Sequence, residues 1–215
     1  MIVPSAHGFK SVKWLIEIQI TNDYRVADTY AVIDKIGNDP HSVLKTYCSV
    51  EGADVTEPGR EGEGKLQRTY TTDELPILFS GTVVCGRTPL DHVEYWVRKV
   101  ESCAAPSTLK DDDEELLNAP WQRAIVEPPP RNWAAAGIDD VNTIFGFKDG
   151  KPISWPLPMS YANWSVSIDN LEPGSYELRA RSVDVNGYAQ PQPRPVQKSG
   201  RNRIGCRRIE IVAAA

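Results

Sequence analysis

Histidine and methionine are scarce in this chain, with three and two among 215 residues. His7, His41 and His92 do not fall into H-E-x-x-H or any other metal-binding spacing. Cys48, Cys85, Cys103 and Cys206 form no C-x-x-C pair, so a zinc site has no support. They are expected as isolated, partly buried thiols, with one disulfide left open for an oxidising compartment. No G-x-S-x-G elbow and no glycine-rich phosphate loop is present. Carboxylates are numerous but cluster in loops. Independent catalysis is therefore not expected of this chain. No apolar run approaches the ~18 residues of a membrane span, so no membrane partner is expected. The start, Met1 to Lys10, has no basic stretch followed by an apolar one. No secretory signal is read there, and the compartment is left open.

What is present suits a folded protein: 40% hydrophobic and 25% charged residues, with a formal net charge of −5. That sign excludes global attraction to nucleic acid. Seventeen prolines and fifteen glycines punctuate many short segments, which favours strands and turns over long helices.

Ser11–Ile20 alternates, with Val12, Trp14, Ile16, Ile18 and Ile20 on one face, and reads as a half-buried strand. Tyr24, Ala27, Tyr30, Ala31 and Ile33 permit a helical turn or two, ended by Asn38-Asp39-Pro40. Glu51–Lys65, with four glycines and Pro58, reads as a loop or linker. Residues 77–84 form a run apolar on both sides, expected as a buried strand. His92–Val100 is the next strand, and its opening histidine is expected at a surface or edge. The charge run Lys110–Glu115 reads as a solvated loop or helix start, since a calcium loop would need ligands at set positions and a glycine. Pro128-Pro129-Pro130 is a stiff extended connection, with a proline-rich ligand the lesser reading. Asn163-Trp164-Ser165 matches the glycosylation pattern but falls inside a predicted strand, and is read as chance.

The clearest alternation follows the turn Leu171-Glu172-Pro173-Gly174. Tyr176, Leu178 and Ala180 face one way, and Glu177, Arg179 and Arg181 the other. A tyrosine just past such a turn predicts a tyrosine corner, its ring in the core and its hydroxyl on upstream backbone. Asp184–Tyr188 is another turn, marked by Asn186-Gly187. Arg207–Val212 is the last strand. Arg194, Lys198, Arg201, Arg203, Arg207 and Arg208 make this end basic. The residues leave two readings open, a solvated edge or an anion-facing patch. Many short strands with turns between them predict a mainly β fold, a sandwich.

Two separated stretches resemble a known family. Val3-Pro4, Gly8-Phe9-Lys10 and Ser11-Val12-Lys13-Trp14-Leu15 resemble the end of the molybdopterin-binding domain in sulfite oxidases and their bacterial relatives. Leu171-x-Pro-Gly-x-Tyr176, through Asp184 and Gly187 to Gln190-Pro191, resembles the C-terminal dimerisation domain of the same molybdopterin oxidoreductases. That match runs over about twenty residues. Asp91–Val97 looks like the strand that leads into a D-G-G turn there, but the turn is missing.

The resemblance implies an immunoglobulin-like β-sandwich with an irregular N-terminal extension and insertions. It implies residues 1–24 as the remnant edge of a molybdopterin-binding domain, 25–75 as linker or insertion, and 76–215 as the dimerisation domain. Ser11, Val12 and Lys13 would contact the pterin, the lysine through its ammonium. Arg203 and Arg207 are the candidates for an anionic substrate. No catalytic residue, metal ligand or cofactor is expected in the chain itself, and molybdopterin belongs to the implied parent. The expectation is a non-catalytic homodimerisation domain, a fragment or truncated product lacking the molybdenum-binding domain, with a possible contact to such a domain. The alternative is a stand-alone immunoglobulin-like interaction or adhesion module.

Overall fold

A computed structural model describes residues 46–51, 68–86, 88–103, 107, 109–110, 113–190 and 204–214. The expected strand at 11–20 and helical turns at 24–33 lie outside them, as does most of the loop at 51–65.

The described chain is a β-sandwich. Its strands are β1 (Tyr47–Cys48), β2 (Arg68–Thr71), β3 (Ile77–Val84), β4 (Leu90–Val100), β5 (Gln122–Arg123), β6 (Ile125–Val126), β7 (Phe147–Lys148), β8 (Lys151–Pro152), β9 (Tyr161–Ile168), β10 (Gly174–Asp184) and β11 (Gly205–Val212). One helix, α1 (Glu114–Leu117), grows from the predicted charge run. A four-stranded sheet has the order β1-β3-β9-β6, and a five-stranded sheet the order β2-β11-β10-β4-β5. β7 and β8 form a separate hairpin. The pairings of these strands are antiparallel except that of β2 with β11.

The core lies between the two sheets. Phe79 and Trp164 from one, and Val93, Leu178 and Ile209 from the other, are at most 1% exposed. Each such side chain contributes roughly 1.5–3 kcal/mol of hydrophobic stabilisation. Period-two alternation puts Ile77, Phe79 and Val83 inside on β3, and Ala162, Trp164 and Val166 inside on β9.

Gly81 is required by this packing. Trp164 donates its indole proton to the Ser49 carbonyl at 2.9 Å. A Cβ on Gly81 would sit 1.9 Å from that same oxygen and 2.6 Å from the indole nitrogen. Only a residue without a side chain lets β1's continuation approach β3 here.

One expectation is corrected. β3 is not buried on both sides: Leu78 is 65% exposed, because the outer face of its sheet is open. The stretch 25–75, expected as linker or insertion, contains β1 and β2, and its Cys48, Val50 and Tyr70 join the core. Strands of two and four residues are too short to display a period. His92 is half-buried, at the end of β4 beyond its pairing with β5. Its side chain is 16% exposed and sits between Asp91 and Glu94. β4 carries a bulge there, with register moving from Val183 opposite His92 to Asp184 opposite Leu90.

Candidate functional site

The Leu171–Gln190 stretch is built position by position. Leu171 is buried, and Gly174 takes a φ of +150° as β10 begins. Tyr176 places its ring in the core and donates its hydroxyl to the Glu172 carbonyl at 2.9 Å. This is the predicted tyrosine corner. Asp184 Oδ1 accepts from the backbone N–H of Asn186 and of Tyr188, and Gly187 takes a φ of +81° to close the turn. Gln190, 2% exposed, reaches across to the first strand of the other sheet. Its Oε1 accepts from the Cys48 N–H at 2.9 Å, and its Nε2 donates to the Cys48 carbonyl at 3.3 Å.

The outer face of the five-stranded sheet is polar and covered. Arg98, Glu177 and Arg208 stand directly opposite one another on β4, β10 and β11. Arg98 donates Nε to Glu177 Oε2 at 2.9 Å and Nη1 to Glu115 Oε1 at 2.6 Å. Arg179 Nη2 reaches the Ser107 hydroxyl at 2.7 Å and Glu177 Oε2 at 3.4 Å. Arg208 donates to the Cys103 carbonyl at 2.6 Å. Burial favours the neutral acid at Glu177, but Ser107, Arg179 and Arg98 outweigh it and hold the carboxyl below the usual carboxylate range. Burial likewise works against the Arg98 cation, and Glu115 and Glu177 reverse the effect and push it up.

Ser107, Leu109, Glu115, Leu116 and Trp121 form the cover. Leu116 and Trp121 pack with Trp96 and Ile204 in a second small apolar cluster. Arg181 stacks on the Trp121 ring at 4.2 Å from its centroid and donates Nε to Glu94 Oε2 at 2.7 Å. Glu94 is also depressed: burial opposes this, and His92 and Arg181 prevail. The alternation of β10 is as read from sequence, but its charged side is interior. Arg208, 4% exposed, likewise corrects the solvated-edge reading at that position.

The expected site residues fall apart into two groups. Ser11, Val12, Lys13 and Arg203 lie outside the described residues. Arg207 is described, and its guanidinium donates to the Glu51 carbonyl at 3.1 Å and to the Tyr70 hydroxyl at 2.8 Å. It also lies 5.1 Å from the centre of the Phe79 ring. All four cysteines are buried, and no disulfide joins them. Burial pushes the Cys48 and Cys85 thiols up, so neither is poised as a thiolate. Among the described residues no group of three His, Cys, Asp or Glu is placed to hold a metal ion.

Sequence reasoning missed the outer face of the four-stranded sheet. At its centre are Ser80 and Thr82 of β3 opposite Ser165 and Asn163 of β9. Leu78, Tyr161 and Ile125 border them, each more than 60% exposed. The signal available in sequence was the uncharged character of every outward position on both strands.

No family model matches this chain, and no curated protein does. Solved structures that match include the sulfane dehydrogenase SoxCD from Paracoccus pantotrophus, at 14% identity and a TM-score of 0.38. The alignment covers 80% of this chain and 33% of that one, so this chain spans about a third of that protein's length. The likeness is distant, and neither the fold nor the function of this chain rests on it.

Proposed function

We propose that this chain is a homodimerisation domain of a sulfite-oxidase-type molybdenum oxidoreductase, an immunoglobulin-like module that associates and does not itself carry the chemistry. The observation that supports this best is the Leu171–Gln190 stretch. Four of the positions that resemble the family's dimerisation domain have an identifiable structural role here. Tyr176 makes the corner, Asp184 and Gly187 close the turn, and Gln190 ties the sheets together at Cys48. The corner by itself is a hallmark of immunoglobulin-like sandwiches in general. The resemblance continues through the next turn and its glutamine.

In this reading the chain's work is mechanical. The two sheets and the Arg98–Glu177–Arg179 network form a rigid body that presents one face to a second copy. A molybdenum cofactor, where bound in the parent, supplies two-electron redox chemistry. No described residue is assigned to it. Contact with the pterin is proposed for Ser11, Val12 and Lys13, and contact with an anionic substrate for Arg203 and Arg207.

Sedimentation equilibrium of the purified chain tests association. A dimer is expected, and a strict monomer at high concentration refutes the proposal. The nucleotide sequence upstream separates the parent enzyme from a stand-alone adhesion module. A reading frame for a cysteine-bearing molybdopterin domain is expected, and its absence favours the adhesion module.

A further inference from the structure

We infer that His92 is a proton-operated latch on the cover of the five-stranded sheet: its imidazolium, and not the neutral ring, holds a chain of contacts that ends on Trp121. The latch does not depend on how the chain associates.

Both ring nitrogens of His92 face a carboxylate. Nδ1 lies 2.5 Å from Asp91 Oδ2, and Nε2 lies 3.1 Å from Glu94 Oε1. A neutral imidazole has one N–H and one lone pair, so it can donate to only one of the two acids. The other contact would set a lone pair against a carboxylate oxygen. The imidazolium has two N–H groups and satisfies both acids. Imidazole is also the side chain that exchanges this proton in the physiological range. The His92 side chain is 16% exposed and that of Glu94 17%, so these charges are screened less than at an open surface.

The charged groups around the ring come from three strands. β4 itself supplies Asp91 and Glu94. β5 brings Arg123, which lies 3.5 Å from Asp91 Oδ2 and pairs in register with Glu94. β10 brings Arg181, which donates Nε to Glu94 Oε2 at 2.7 Å. The residue opposite His92 is Val183, and the next, Asp184, turns its carboxylate to the N–H groups of Asn186 and Tyr188.

Glu94 carries the latch to the cover. One of its oxygens meets His92 and the other Arg181, whose guanidinium lies 4.2 Å from the centre of the Trp121 ring. Trp121 meets Trp96 edge-on at 6.0 Å and donates its indole proton to the Leu116 carbonyl at 3.2 Å, which ties it to α1. When His92 gives up its proton, the carboxylate that orients Arg181 loses one of its two anchors. The latch is therefore closed while the imidazole is charged and opens as pH rises.

Two measurements on the full wild-type chain test this. Nitrogen-15 NMR of the His92 ring should show two N–H groups with the latch closed and one with it open. Amide exchange of Leu116, Leu117 and Asn118, whose N–H groups close α1, reads the cover. Their protection, corrected for the intrinsic rate, is expected to fall about tenfold as His92 titrates, the scale of one hydrogen bond to a charged group. His92→Gln should show the lower protection at every pH, and a chain with both His7→Gln and His41→Gln should behave as wild type. A ring that keeps one N–H, or two, throughout the native pH range overturns the latch. So does a cover whose protection ignores the His92 titration, or still follows it in pH when His92 is replaced.

Discussion

Tyr176 and Glu172 are tied by a hydroxyl-to-carbonyl hydrogen bond of 2.9 Å across the turn that opens β10. The tyrosine is 7% exposed. Tyr176→Phe keeps the ring and removes the donor. The expected loss is about 1 kcal/mol, typical of one hydrogen bond, and a Tm lower by roughly 2–4 °C. Tyr176→Ala also removes the packing and should cost ~3–5 kcal/mol. Urea titration of both variants checks the ratio. Equal losses would mean that the hydroxyl, and not the ring, carries the corner.

Gly81 faces the Ser49 carbonyl and the Trp164 indole with no room for a methyl group. Gly81→Ala must push backbone apart, so its cost is expected at about 3 kcal/mol, the upper end of overpacking effects. Near-ultraviolet circular dichroism should change as well, since Trp164 loses its fixed partner.

Glu177 binds fewer protons folded than unfolded, because its folded pKa lies below the ordinary carboxylate value. Its stabilisation is therefore full above that ordinary value and lost as pH falls through the lower folded one. Glu94 acts in the same direction. Glu177→Gln leaves Arg98 and Arg179 without their shared carboxylate and should cost ~3 kcal/mol at neutral pH. The variant should also lose less stability than the wild type on acidification. Denaturation midpoints across that pH window measure both effects.

Cys48, Cys85 and Cys103 are at most 1% exposed and Cys206 is 9% exposed. A thiol reagent should label none of them rapidly in the native chain and all four after denaturation. Rapid native labelling of Cys48 would contradict its place in the core.

Local patterns made half of this architecture legible. β9 and β10 are long enough to show period two, and Pro173-Gly174 and Asn186-Gly187 mark turns whose conformations those residues favour. The corner needed one tyrosine at one spacing. The fate of the charged side of β10 was not legible. Glu177 and Arg179 are buried because Ser107, α1 and Trp121 return over them, and nothing in the alternation of 174–184 encodes a cover that arrives from elsewhere. The reverse holds for Leu78, which local hydrophobicity places inside and tertiary packing leaves outside. β1, β5 and β6 have two residues each, too few for any periodic signal.

The cover over the five-stranded sheet also sets a limit on growth. A bare sandwich has two flat sides and can stack without end, each copy adding one more layer. Here the chain folds back over one side and occupies it with its own tryptophans and arginines. The covered sheet is thereby withdrawn from face-to-face stacking.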